Sequence, residues 1–548
     1  MTQRISRAIE LSESQDQWTY NEEHRCWCLE DVLYTAAAKE SRFQRLSVFA
    51  PKACLNQDGT PAVISKTIPV VFENNAAGYM QMPNAWPGGP RWYGDQYLKH
   101  GLIYVSCGCR GRDSYDKKGE PVGKAPETLI DLKTALRFLR HNKNALPGDW
   151  SRVISIGWSA GGAMSALLGV TGDHPDYDSY LRQAGAFMDE SDAVFAAQIY
   201  CPIIDLEHAD MAYEWMFRAD PACEDSPAGP AETMTPFKKS LSRQLSRQYV
   251  DYLNGLGLLH PETGDKLLLD PDGRSGSFYD YFMEQISRSA SVYLNRLQNR
   301  QQPEKWSPRD YLSGNYTFLA SMTRSGAAHH AGQEVALSDA PRPMGLGEML
   351  LQAAGHPEKQ PDMEEKQGQD KRSWLSWDGE QATVSGLDAY VLAHRNRMKP
   401  CTAFDKLTAD SGENHEFGNA AQDDRHFSAS VVSALEAVSR EYPKEAQPIL
   451  AACQKDLLNP DISDKVQLLN PLHYISEDRA CHAQHYRIRV GARDADTSFS
   501  VSMTLYLLLR KAGFDADYAL IWDAPHSEAD YPGEILHWID RICESKEA

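Results

Sequence analysis

The sequence predicts an α/β protein: a mostly parallel central sheet flanked by helices, carrying one large inserted segment of helices and loops. Three observations carry this prediction. Apolar, β-branched runs alternate with helical patterns from about residue 68 to residue 200, and the same rhythm returns at about residue 486. Between about 205 and 474 the chain is helical and loop-rich instead, so one sheet is interrupted rather than two sheets joined. Within the first stretch, RVISIGWSAGG (152–162) places Ser159 on a strand-to-helix turn among small residues.

Taken in order, the stretch 31–53 gives two strand-like runs, VLYTAAA and FQRLSVFAP, expected to form the antiparallel edge of a mixed sheet. IPVVF (68–72) is a buried strand that opens into the small-residue loop ENNAAGY (73–79). LIYV (102–105) is the next strand. A helix is expected over 127–144, where Leu129, Leu132, Leu136 and Leu139 recur at helical spacing. The run VISIGW follows, then the good helix former AMSALL (163–168), then the strand VFAAQIY (194–200). Strand, helix, strand, helix, strand implies parallel pairing through right-handed crossovers.

The insertion is expected to hold helices at 237–256, 277–301 and 427–457, the last broken in two by Pro443 and Pro448. HPEKQPDMEEKQGQDKRS (356–373) reads as a polar loop. LDPDG (269–273) resembles a calcium loop only superficially; it lacks the later ligands, and a β-turn is expected. After the insertion come a strand at 486–491, a helix at 498–512, a strand at 517–522 and a closing helix at 534–544. The expected division is a core, first part, over 1–205, an inserted lid domain over 206–474, and the rest of the core over 475–548. The insertion enters at the C-terminal edge of the sheet, where active sites of open sheets lie.

The chemistry starts from the turn at Ser159. Gly157 and Gly161 flank it in a G-x-S-x-G pattern with a strand before and a helix after, as in the nucleophile elbow of the α/β-hydrolase fold. The new helix presents free N–H groups to an oxyanion, with Ala160 N–H as the first donor. The loop after IPVVF offers the second, near Ala77 or Gly78, although an ordinary β-to-α turn fits that loop equally well. In this fold the acid and the base follow the serine in that order. The penultimate strand runs into ARDADT, with Asp494 and Asp496, and the last strand into DAPHS, with His526. Two residues apart, only one aspartate can face His526 easily. Asp494 lies nearer the strand end and is slightly preferred.

Composition narrows the partners. The 548 residues are 42% hydrophobic and 24% charged, and the net charge is −20. That balance argues against nucleic acid or an anionic membrane surface. No apolar run approaches the length of a membrane span, and MTQRISRAIELSESQDQW has no apolar core of a secretory signal, so a cytoplasmic location is expected. Eleven cysteines, odd in number and without CxxC pairs, read as reduced structural thiols; Cys26/Cys28 and Cys107/Cys109 are i, i+2 pairs on one side of a strand. No metal site and no cofactor are expected.

Several stretches together resemble the bacterial tannases, galloyl-ester hydrolases related to feruloyl esterases. They are GWSAGGAMS (157–165), CPIIDLEHADMAYEW (201–215), RMKPCTAFD (397–405), GENHEFG (412–418), RVGARDADTS (489–498) and WDAPHS (522–527). The resemblance implies a Ser159–Asp494–His526 triad acting on a small aromatic ester through an acyl-enzyme. It assigns Lys399, Glu413 and Asp496 to the phenolic hydroxyls of a galloyl ring; without it, Lys399 and Glu413 read as a solvated pair in a loop. Phenols donate to carboxylates in charge-assisted bonds, and an ammonium bonds phenol oxygens, so the residue types suit that ligand. The insertion is longer than is usual for the family, particularly around 325–373. The same triad with another acyl pocket suits a feruloyl or other carboxylic ester. A prolyl-oligopeptidase-like peptidase shares the GWSxGG elbow but usually carries its extra domain before the hydrolase domain. A binding protein on this fold usually lacks a triad member.

Overall fold

The computed structural model describes residues 10–11, 17–74, 76–223, 232–301, 306–314, 374–394 and 397–544. The polar tract 356–373 and the long stretch around 325–373 lie outside the described residues. Nine strands make one sheet: β1 (Thr19–Asn21), β2 (Cys26–Leu33), β3 (Arg45–Pro51), β4 (Pro69–Asn74), β5 (Ile103–Cys107), β6 (Asp149–Trp158), β7 (Ala196–Tyr200), β8 (His485–Gly491) and β9 (Asp515–Ile521). Their spatial order is β1-β2-β3-β5-β4-β6-β7-β8-β9. The first three strands pair antiparallel, β3 meets β5 antiparallel, and every later neighbour is parallel. This is the α/β-hydrolase fold.

The parallel strands lie between helices, so β5 and β7 are buried at every residue and lack the apolar–polar alternation of a half-exposed strand. Helix α1 (Glu127–His141) packs against α2 (Ala160–Val170), every residue of which is buried. A buried ion cluster pins α1 to the chain entering β7. Asp192 accepts from Lys133 Nζ at 2.7 Å and Arg137 Nε at 2.6 Å. Burial would push the Asp192 carboxyl up, but the two cations outweigh it and hold it below the usual range.

The N-terminal edge differs from the expectation. The strand is CWCLEDVL, not VLYTAAA, and the chain after Leu33 turns. A register shift between Leu29 and Val32, with Asp31 at φ 63°, bends β2 midway and breaks the alternation that marks a strand in sequence.

In the insertion lie α3 (Leu206–Phe217), α4 (Pro236–Gly255), α5 (Ser277–Gln298), α6 (Leu387–His394), α7 (Gly412–Glu416), α8 (Ala429–Val438), α9 (Pro443–Leu457) and α10 (Pro460–Leu468). Helices α11 (Phe499–Lys511) and α12 (Glu534–Glu544) follow it. Pro443 opens α9, as its fixed φ favours, but Pro448 does not break it. Standing in the second turn, Pro448 deletes one backbone bond, to Lys444. Gly273 N–H closes the turn at 269–273 on Asp270 O at 2.8 Å. The apolar core runs without a break from the sheet into the insertion, where Phe282 stacks on Phe499 at 4.7 Å. All eleven cysteines are unpaired and nine are buried. Among the described residues no helix is long and apolar enough to cross a membrane.

Asp192→Asn leaves Lys133 and Arg137 buried beside a neutral amide. Breaking such a cluster from one side should cost about 3–5 kcal/mol, read as a lowered urea midpoint. A loss under about 1 kcal/mol would mean that water replaces the carboxylate.

Candidate active site

Ser159 follows the last residue of β6, with φ 60° and ψ −126°, a backbone that L-residues rarely adopt. Three bonds hold it there. Its N–H donates to Tyr200 O at 3.1 Å, and its carbonyl accepts from Ala163 N at 3.1 Å and Ile203 N at 3.2 Å. The neighbouring glycines permit the close approach this needs. A Cβ at Gly157 would lie 2.2 Å from Gly161 O, and one at Gly162 2.4 Å from Tyr200 O. Ala160 opens α2, so its N–H is among the first-turn donors that have no intrahelical acceptor.

His526 stands in the loop after β9, with Nε2 2.9 Å from Ser159 Oγ and Nδ1 2.8 Å from Asp494 Oδ2. With the imidazole neutral and its proton on Nδ1, the serine hydroxyl donates to Nε2 and Nδ1–H donates to the carboxylate. The two loops are tied by Arg493 N–H on Ala524 O at 2.9 Å, and no Cβ fits at Gly491, where it would lie 2.2 Å from Pro525 O. The two aspartates that spacing left open part company here. Asp494 faces His526, and its second oxygen accepts the Asp496 N–H at 2.9 Å.

Burial of His526 disfavours the imidazolium, but the Asp494 charge opposes it, with Asp496 adding to the effect. The balance holds its pKa well above the ordinary histidine value. One neighbour escaped the sequence reading: Cys201 Sγ lies 4.0 Å from His526 Nε2. Burial pushes this thiol up. The signal was positional, since Cys201 follows the last residue of β7, beside the elbow strand.

The loop after β4 is fastened to the elbow. Asn74 Nδ2 donates to Ile156 O and Gly161 O, both at 3.1 Å, and to Ser165 Oγ at 3.0 Å. Ala77–Tyr79 is a short 3₁₀ turn packed against α2. Tyr79 Oη donates to Ile203 O at 2.8 Å, and Ile203 N–H in turn reaches the Ser159 carbonyl. Ala77 and Gly78 therefore sit in a turn stapled to the serine's own backbone.

Lys399 is buried, with Nζ 4.1 Å above the Phe404 ring, and among the described residues no carboxylate pairs with it. Its backbone N–H donates to Tyr213 Oη at 3.0 Å, and that hydroxyl donates to Ala495 O at 3.0 Å. Lys399 is thereby joined to the Asp494–Asp496 loop. Glu413 is half-buried in α7, which packs against the Ala77–Tyr79 turn; its charge and that of Glu416 add to burial in pushing the Tyr79 phenol up. Metal-capable donors gather in two places among the described residues. One is Cys201 with Asp494 and His526. The other is Asp205 with Glu207 and His208, where His208 Nδ1 and Asn470 Nδ2 both reach Asp205 Oδ1, at 2.7 and 2.8 Å.

Comparison with known proteins adds independent findings. Residues 114–220 match the BD-FAE family model. The chain is similar to the tannin acyl hydrolase from Lactobacillus plantarum, with 29% identity, 97% of this chain and 98% of that one covered, and a TM-score of 0.74. It is similar also to a tannin acyl hydrolase in complex with ethyl gallate, with 30% identity, 95% and 94% coverage and a TM-score of 0.71. Among curated relatives, Esterase LipC of Mycobacterium tuberculosis is 31% identical over 99 residues, 18% of this chain; the match spans 25% of that esterase.

Because the Asp494 charge sustains the raised His526 pKa, Asp494→Asn should lower it by about one unit or more, read by NMR titration of the imidazole. An unchanged value would mean that the carboxylate is not the source of the shift.

Proposed function

The chain belongs to the bacterial tannase family of α/β-hydrolases, and from that premise we propose that it is a serine esterase cleaving galloyl and related hydroxybenzoyl esters to the free acid and an alcohol. The observation that carries this reading is the run of hydrogen bonds from Ser159 through His526 to Asp494, at 2.9 and 2.8 Å. In the proposed reaction Ser159 Oγ attacks the ester carbonyl as His526 Nε2 takes its proton. Ala160 N–H, with an N–H of Ala77 or Gly78, bonds the oxyanion. His526 then gives its proton to the departing alcohol, leaving an acyl-enzyme. Water, deprotonated by the same imidazole, attacks the acyl carbon and frees Ser159 and the acid. Asp494 holds the Nδ1–H tautomer and stabilises the imidazolium.

The ring would be held by Lys399, Glu413 and Asp496. Two carboxylates accept from vicinal hydroxyls, and an ammonium without a carboxylate partner donates to a phenol oxygen. Burying that ammonium is costly while no carboxylate among the described residues pairs with it, so a ligand oxygen there gains more than it would at the surface. The same reading makes 206–474 an inserted domain that covers the site between core parts 1–205 and 475–548.

Ser159→Ala should lower kcat for methyl gallate by at least about 10⁴-fold; a rate near wild type would overturn the mechanism. Lys399→Met, Glu413→Gln and Asp496→Asn should each raise KM for methyl gallate by about tenfold, far more than for p-nitrophenyl acetate. Equal effects on both esters would remove these residues from the ring site. Wild-type preference for methyl ferulate over methyl gallate would make the enzyme a feruloyl esterase with the same triad.

A further inference from the structure

Tyr213 lies in the last turns of α3, where the chain first leaves the sheet, and it is fully buried. Its hydroxyl makes three bonds: it donates to Ala495 O at 3.0 Å and accepts from the N–H groups of Lys399 at 3.0 Å and Met398 at 3.2 Å. A phenol has one proton and two acceptor positions, so this one is saturated by backbone alone. Burial pushes the phenol up, which keeps that proton on Tyr213 Oη and fixes the direction of the bond to Ala495.

The partners are what give the contact meaning. Ala495, whose carbonyl accepts, stands between Asp494 and Asp496, and the two N–H donors belong to the segment that presents the Lys399 ammonium. One oxygen atom thus joins segments almost 100 residues apart in sequence, one carrying the acid beside His526 and one carrying the ring-binding lysine. The lysine side is also held from behind. Arg397 Nε donates to Lys399 O at 3.0 Å, and its guanidinium lies 5.4 Å from the Tyr213 ring centre. Neither segment is a strand or a helix here, so no ladder of backbone bonds sets their separation.

We propose that Tyr213 is a positioning residue that sets the spacing between Lys399 and Asp496, and through it the enzyme's selectivity for esters with vicinal ring hydroxyls. This rests on the ring-binding reading of those two residues. Tyr213 need not touch substrate. It acts through two others, and a bond-length change in the gap between them separates a ring gripped at both hydroxyls from one gripped at one.

The test is Tyr213→Phe, which keeps the ring and removes only the hydroxyl. Initial rates on methyl gallate and p-nitrophenyl acetate are read on one preparation, so their ratio does not depend on the fraction folded. The kcat/KM ratio of gallate to acetate should fall about tenfold, with the change mainly in KM for gallate. In a Lys399→Met background the same substitution should change the ratio by much less, because the two act on one contact. An unchanged ratio, or a gallate effect fully additive with Lys399→Met, would overturn the proposal. The parent reading fails differently: it falls if Lys399→Met alone leaves the ratio unaltered, whatever Tyr213→Phe does.

Discussion

The left-handed backbone of Ser159 is the constraint to which this edge of the sheet is fitted. Such a conformation costs about 1–3 kcal/mol and persists only where its surroundings over-determine it. Here they do. β6 is held on both sides by parallel neighbours, β4 and β7, and α2 begins at the next residue. Strand and helix must then approach so closely that positions 157 and 162 admit no Cβ. The same approach buries Asn74 against the elbow, where its amide satisfies carbonyls of both β6 and α2. A single strained residue therefore dictates two glycines, an asparagine and the course of the 77–79 turn.

A second layer of order comes from α3. Three of its buried side chains hold the segment 397–405. Asp210 accepts the N–H groups of Ala403, Phe404 and Asp405; Glu214 pairs with Arg397; Tyr213 takes Lys399 and Met398. Asp405 continues the network, accepting from Asn414 in α7 and from Phe427 and Ser428 ahead of α8. Burial, opposed by the three N–H donors, pushes Asp210 up to about 7. Buried carboxylates are tolerated only when so well bonded, and their bonds are directional. The segment carrying Lys399 is thus shaped by polar contacts where an apolar core alone would leave it loose. This explains why an insertion with long helices also contains an ordered, irregular loop at its base.

How much of this the sequence disclosed follows from how local each signal is. The elbow is one continuous stretch, and His526 follows the last strand, so both were legible. Asp494 and Asp496 were not separable by spacing, because the choice depends on which carboxylate the β8 loop turns toward the β9 loop. Lys399 and Glu413 stood out only through family resemblance; their positions depend on α3, which periodicity did not single out amid a generally apolar, aromatic run. Tyr213 lay inside one of the resembling stretches but carried no signal of its own, since its role lies in contacts with residues far along the chain. At the N-terminal edge a bulge at Asp31 disrupted the alternation that betrays a strand, and the apolar run after it drew the prediction off.

The charge pattern around Ser159 also bears on the order of events in the proposed reaction. Asp494 and Asp496 both raise the affinity of His526 for a proton, and Glu413 stands against the turn on the other side. A neutral phenolic ester enters this field without penalty, bringing donors for the carboxylates and no charge of its own. Hydrolysis changes that. In the proposed reading the acid is released beside Ser159, one imidazole away from the Asp494 charge, and like charges so placed repel. In the same reading the ammonium of Lys399 meets the ring end, not the carboxylate end, of such a product. On that reading the Asp494 charge that raises the base also favours departure of the product, so tight recognition of the ring does not require tight retention of the acid.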